Sequence, residues 1–296
     1  MVTLDADNTW NLILSAINRS NVTLPVPGSD HPALRLNGKS WELVDQATDD
    51  VKNLLSVFLP LCLPVQSASG TRVIGQLGQS LDGRIATVTG CSRFINGDDG
   101  ITHLHRIRAL CDAVVVGAGT AVTDNPRLTV RRTSGSNPVR VVIDRKRRVP
   151  LTHHLFTDGE APTLHLVAGD YDPARQPDTN GTVTTIPCLG DPDSETPVQP
   201  EHILRVLQDA GLHKIFIEGG GVTVSTFLNA GLLDRLHVMV APMIIGSGRP
   251  AFSLPEIDQL DEALRPRAQL INLGSDMLFD LDFDKTAHPS GLSEQH

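Results

Sequence analysis

From Arg72 to Phe283 the chain alternates short apolar runs with amphipathic stretches of helical spacing, and this alternation restricts the fold more than any other feature. Read by period, residues 73–77, 113–116, 139–143, 163–167, 182–186, 214–218, 236–241 and 277–283 are strands. Residues 100–110, 201–210 and 222–230 are helices. Strands alternating with helices make an α/β sheet, and ligands gather at the carboxyl ends of its strands. Residues 1–70 differ in texture. Helical spacing over 10–17 and 40–59, around a turn-rich 21–32, predicts a mainly helical N-terminal appendage ahead of a main domain at 71–284. The polar tail at 285–296 is expected to fray. Gly38-Lys39-Ser40 matches the end of a P-loop, but Ala33 stands where a glycine is required and no strand leads in.

A sheet of this kind must be packed with aliphatic side chains, because only 4% of the residues are aromatic and Tyr171 is the single tyrosine. Few residues are left for stacking single-stranded nucleic acid. The net charge of −9 also repels a phosphate backbone, so no nucleic-acid partner is expected and any bound phosphate belongs to a small ligand in a locally basic pocket. Cys62, Cys91, Cys111 and Cys188 are widely spaced, with neither a CxxC nor a Cys/His pairing, which predicts reduced thiols rather than zinc or disulfides. His103 and His105, two apart on one helix, face different ways and read as polar surface, so no metal is expected. Asp5 and Asp7 stand where a secretory signal carries basic residues. The apolar stretch 54–65, interrupted by Pro60 and Pro64, falls short of the roughly 20 residues that span a bilayer. A soluble, cytoplasmic protein without a membrane partner is the expectation.

Two strand ends carry glycine clusters: 113–116 runs into Gly117-Ala118-Gly119-Thr120, and 215–217 into Glu218-Gly219-Gly220-Gly221. Glycine lets a backbone approach a phosphate, and a helix start offers free N–H groups, so two such turns in one sheet suggest a dinucleotide. Neither has the GxGxxG spacing, which disfavours the ordinary dehydrogenase fold. Basic residues concentrate between Arg127 and Arg148, including Arg131, Arg132, Arg140 and Arg145. They suit a sugar phosphate or the 2′-phosphate of NADP, or else form a solvated loop. Asp82-Gly83 by itself reads as a turn. No GxSxG marks a serine nucleophile.

Taken in order, SLDGRIA (80–86), GCSRFING (90–97), HRIRALCDAVVVGAGTAVTDNPRLTVR (105–131), PVRVVID (138–144), IEGGGVTVSTFLNAGLLDRL (217–236) and APMIIGSGRP (241–250) resemble the reductase domain of bacterial riboflavin biosynthesis over residues 72–283. The resemblance implies a dihydrofolate-reductase-like, three-layer α/β/α fold with a central, mostly parallel, mixed sheet. It also implies an NADPH-dependent enzyme, commonly a homodimer, that reduces the ribosyl group of an aminopyrimidine ribosyl phosphate to ribityl. Carried over position by position, it places the cofactor on Gly78, Phe94, Thr120, Asp124, Arg145, Gly220, Gly221, Val222 and Thr223. The substrate falls on Ser92, Arg108, Leu128, Arg131 and Glu218, with Ser92, Arg108 and Arg131 on the 5′-phosphate, and Glu218 and Asp82 are the catalytic candidates. The chain departs from the pattern at Phe94 (usually Trp), Asn96 (usually Thr) and Gly78 (often Ala). It also lacks the HxE and PCxxC signature of the family's zinc deaminase, so deamination is expected of a separate protein. The substrate is then either the deaminated uracil or the diaminopyrimidinone. Alternatives are a reductase of the same fold in another pathway, or an NADP-binding module without catalysis.

Overall fold

The computed structural model describes residues 4–65, 69–92, 95–169, 181–194 and 198–283. Phe94, Tyr171 and the 285–296 tail lie outside them. The main sheet has nine strands: β4 (Arg72–Ser80), β6 (Ala113–Gly117), β7 (Val139–Ile143), β8 (Thr163–Val167), β9 (Val183–Pro187), β10 (Lys214–Glu218), β11 (Arg235–Ala241), β13 (Arg267–Leu273) and β14 (Asp276–Asp282). Their order is β13-β14-β11-β4-β10-β6-β7-β8-β9. All neighbouring pairs from β11 to β9 are parallel, and β14 runs antiparallel to β11 and β13. The expected α/β sheet, mostly parallel and mixed, is therefore present.

Alternation along the strands divides the core into two layers, because successive side chains point to opposite faces. Val73, Val115, Ile215 and Ile217 pack with α6 (Pro200–Asp209) and α7 (Gly221–Asn229). Ile74, Val114, Val116 and Phe216 pack on the other face with α2 (Asp49–Cys62) and α3 (Asp98–Leu110). Sheet and two helical faces make three layers. The strands buried on both faces are continuous apolar runs, and β7, β8 and β10 match their expected bounds. β13 was not expected: Ile271 is its one buried hydrophobic residue, so this edge strand carries little hydrophobic signal. Two short strands, β5 (Arg84–Ala86) and β12 (Arg249–Pro250), and two short helices, α4 (Ala118–Asp124) and α5 (His154–Thr157), complete this part. No helix among the described residues is long and apolar enough to cross a membrane.

The N-terminal expectation needs correction. Between α1 (Ala6–Ser15) and α2 lie three strands, β1 (Val22–Pro25), β2 (Pro32–Asn37) and β3 (Ser40–Leu43), forming an antiparallel sheet. Leu34 and Leu36 alternate with exposed residues at a period of two, and Gly38, at φ +61°, turns β2 into β3. The supposed P-loop tripeptide is therefore a hairpin turn, and the helix predicted over 40–59 begins only at Asp49, after Thr48 caps it. Nor is this segment a loose appendage. Trp10, Leu55 and Phe58 belong to the same buried cluster as Ile74, Val114 and Phe216. Trp10 Nε1 donates to the Ser134 carbonyl at 2.9 Å, and the Arg106 guanidinium lies over the Trp10 ring at 5.4 Å. Two cations of the main sheet cap the end of α2: Lys214 Nζ donates to the Cys62 carbonyl at 2.8 Å and Arg72 Nη1 to those of Pro60 and Leu63.

The two histidines expected on the surface are also buried. His103 Nε2 lies 2.9 Å from His237 Nδ1. His105 Nδ1 accepts the Arg131 N–H at 3.0 Å. Burial, with Arg108, Arg131 and Arg132 nearby, pushes His105 down to about 4.

Candidate active site

The parallel strands β4, β6, β7 and β10 bring their carboxyl ends to one cavity of about 980 Å³. That is the upper end of the roughly 300–1,000 Å³ usual for small-molecule pockets. Most residues carried over from the family pattern meet there: Gly78, Ser92, Thr120, Asp124, Leu128, Glu218, Gly220, Gly221, Val222 and Thr223 all line it.

The two glycine turns sit side by side because β6 and β10 are neighbours, and the Gly220 N–H donates to Thr120 Oγ1 at 3.0 Å. Gly219 is the left-handed residue, at φ +123°, while Gly220 has a negative φ of −39°. Gly221 has no room for a side chain, since a Cβ there would overlap the Ala251 carbonyl oxygen. A Cβ on Gly119, by contrast, would project into open space along the cavity wall. This glycine surface leaves the backbone approachable, as a pyrophosphate requires.

Glu218 ends β10, and a guanidinium fork holds its carboxylate: Arg108 Nε donates to Oε2 at 2.8 Å and Nη2 to Oε1 at 2.6 Å. Arg108 Nη1 donates to the Thr129 carbonyl at 2.9 Å. Expected on the substrate phosphate, Arg108 instead stands behind Glu218 and does not line the cavity. Arg131 also lies off the cavity wall, its Nη1 donating to Thr129 Oγ1 at 2.6 Å. Between them Leu128 is left-handed at φ +55° and buried, a conformation that costs a non-glycine residue energy and that the surrounding packing imposes.

Asp82 does not line the cavity. Its carboxylate accepts the Ser80 hydroxyl at 2.6 Å and the N–H groups of Ile245 and Gly246 at 3.1 and 2.6 Å. Those hydrogen bonds, the Ser80 one foremost, hold the carboxyl down at about 2.

The arginine cluster separates into different duties. Arg140 is fully buried and ion-paired with Asp158 at 2.7 Å, Arg127 pairs with Glu160, and Arg132 pairs with Asp98. Arg145 turns away from the cavity to donate to the Asp191 carbonyl, and Arg148 lines the cavity in its place. Asp144 sets that turn by accepting the N–H groups of Arg148 and Val149. Burial would raise the Asp144 carboxyl, but the bonds from His165 and those two N–H groups outweigh it and hold it below the ordinary value. Sequence reading also missed Arg249 and Gln76, both on the cavity wall. Arg249 lay within a matching block, and Gln76 inside a buried strand gave no signal of its own.

The family model for the RibD C-terminal domain matches residues 71–278. The chain belongs to that family. It is 34% identical over 215 residues to the 2,5-diamino-6-ribosylamino-4(3H)-pyrimidinone 5′-phosphate reductase of Methanothermobacter thermautotrophicus, covering 70% of this chain and 96% of that one. Over 202 residues it is 32% identical to the riboflavin biosynthesis protein RibD of Aquifex aeolicus, covering 68% of this chain and 54% of the relative. Among solved structures it resembles RibD of Acinetobacter baumannii, with a TM-score of 0.61 and 26% identity over 79% of this chain and 63% of that one. The matched region begins where β4 begins, so the RibD C-terminal resemblance rests on the sheet and its cavity.

Proposed function

We propose that this RibD C-terminal family member is a pyrimidine-phosphate reductase of riboflavin biosynthesis that uses NADPH to convert a ribosylamino to a ribitylamino side chain. The observation that carries the reading is the single cavity in which Glu218, locked by the Arg108 fork, faces the paired glycine turns. The residues present fit a dinucleotide, since Gly119 leaves backbone open on the cavity wall where a side chain would intrude. Gly78, Thr120, Asp124, Gly220, Gly221, Val222 and Thr223 would hold it, and Arg148 takes the role first given to Arg145, pairing the 2′-phosphate that distinguishes NADPH from NADH. When bound, the cofactor supplies the hydride.

The chain's own residues do the remaining work. The Arg108 fork fixes the orientation of the Glu218 side chain, so its carboxylate accepts a hydroxyl or amine hydrogen of the ribosylamino group. Arg108 is thus a positioning residue. Ser92 and Leu128 form the substrate side of the wall, and Arg131, off that wall and bonded to Thr129 Oγ1, is the arginine that the family resemblance assigns to the 5′-phosphate. Asp82 is a positioning residue as well, clasping the 245–246 loop. A homodimer and a separate deaminase complete the reading, the first checked by sedimentation.

The test is to follow NADPH oxidation with the diaminopyrimidinone and with the deaminated uracil ribosyl phosphate. Turnover of one with retention of the phosphate in a ribityl product is the expected result. Turnover of neither, with NADPH bound, would refute it.

A further inference from the structure

Two polar atoms at the cavity have no hydrogen-bond partner among the described residues: Gln76 Oε1 and Asn96 Nδ2. Gln76 is only 3% exposed, and its Nε2 already leans on Met239 Sδ at 3.8 Å, so the carbonyl end has unused acceptor capacity. A buried polar atom without a partner is uncommon and calls for an explanation, and a cavity beside it supplies one.

Asn96 sits in a space made by a glycine. Gly78 follows Gln76 by two residues on β4, hence on the same face of the strand. A Cβ on Gly78 would overlap Asn96 Oδ1. The backbone there does not need glycine, for Gly78 is absent from the residues of positive φ. What the missing side chain provides is room for the Asn96 carboxamide. The loop is also fixed: the next residue, Gly97, donates its N–H to Asp276 Oδ2 at 2.9 Å, and Asp276 is buried at the start of β14. Asn96, beside Gly78 on a loop held at Gly97, and Gln76, two positions before Gly78 on β4, thus share one wall, one offering an N–H donor and the other a carbonyl acceptor.

We propose that Asn96 and Gln76 are a specificity pair that reads the amide edge of a bound heterocycle, Gln76 Oε1 accepting its N–H and Asn96 Nδ2 donating to its C=O, with Gly78 as the seat of Asn96. The identity of the heterocycle rests on the reductase reading, in which both the pyrimidinone ring and the nicotinamide carboxamide carry such an edge. A pair satisfied only by ligand has a recognisable signature. Removing it weakens binding while relieving the empty protein of an unpaired buried group.

The experiment compares Gln76→Leu and Asn96→Leu with the wild type in calorimetric titrations of NADPH and of the ribosylaminopyrimidinone phosphate, alongside thermal melts without ligand. Each variant should weaken one ligand about tenfold, the scale of a single lost hydrogen bond, with a melting temperature equal to or above wild type. Loss confined to the pyrimidine phosphate assigns the pair to substrate, and loss confined to NADPH assigns it to the nicotinamide. Unchanged binding of both ligands, in a wild type that binds them, overturns the pair. A wild type that binds neither removes the reductase reading and the pair together. Gly78→Ala tests the seat independently of any ligand. It should lower the melting temperature, and Gly78→Ala/Asn96→Ser should recover most of the loss, whereas additive melts overturn the seat.

Discussion

Replacing Arg108 by leucine would leave the Glu218 carboxylate in a site where its side chain is 14% exposed, with no other ion pair to it among the described residues and only the more distant charge of Arg131 nearby. Breaking one side of a buried ion pair costs about 3–5 kcal/mol, and the Thr129 carbonyl would lose its donor as well, adding about 1 kcal/mol. Arg108→Leu should therefore destabilise the chain by about 4–6 kcal/mol, and Glu218→Leu by about 3–5 kcal/mol through the stranded guanidinium. The double variant leaves only Thr129 unsatisfied and should cost no more than about 1–3 kcal/mol. The coupling worked from these figures is at least about 4 kcal/mol. Guanidinium denaturation of all four proteins, with midpoints compared at constant slope, measures it. Additivity within about 0.5 kcal/mol would show that the fork contributes nothing as a pair. Arg108→Lys adds a finer check, since an ammonium keeps the charge without two prongs and should recover only part of the loss.

Arg148→Ala should weaken NADPH by one to two orders of magnitude, as expected for a lost charged hydrogen bond of about 1.5–3 kcal/mol, and leave NADH alone, while Arg145→Ala should alter neither. Fluorescence titration reads both. Arg131→Ala should reduce use of the phosphorylated substrate by a similar factor at unchanged NADPH affinity, and equal losses in both would move Arg131 to the cofactor. For His105 the folded value near 4 lies below the unfolded value near 6.5, so between those pH values the unfolded chain binds the extra proton. Stability from this residue is therefore complete above pH 6.5 and falls by about 3 kcal/mol as the pH is lowered to 4. His105→Gln, which keeps an acceptor for the Arg131 N–H, should flatten that part of the melting profile. Gly221→Ala should lower stability even in the absence of ligand, because the obstructing atom is the backbone carbonyl of Ala251.

The inner strands were legible because burial on both faces writes an uninterrupted apolar run, as in 139–143 and 214–218. The N-terminal strands were not: a four-residue arm such as Ser40–Leu43 is too short for its period to outweigh the helical spacing that follows. Glycine turns could be read as a ligand surface, but not that Thr120 joins them, because that bond spans a hundred residues. Charge clustering misled in a specific way. Arg140 and Arg148 look alike in the sequence, yet strand alternation buries the first and an Asp144-capped turn delivers the second to the cavity. Gly78 and Asn96 lie eighteen residues apart in the sequence, and only the structure shows that a Cβ on the first would overlap the carboxamide of the second.

The cations that close α2 bear on where this chain can be divided. Lys214 and Arg72 belong to the region matched to the family, and the carbonyls of Pro60, Cys62 and Leu63 that receive them do not. A cut at residue 70 would strand two positive charges at the amino ends of β10 and β4 and uncover the layer under Trp10 and Phe58. The boundary at which sequence resemblance begins is therefore not a seam along which the protein separates. Residues 6–62 share one buried cluster with the face of the sheet that carries Ile74, Val114 and Phe216, so a chain beginning at residue 71 is expected to be less stable than the full chain.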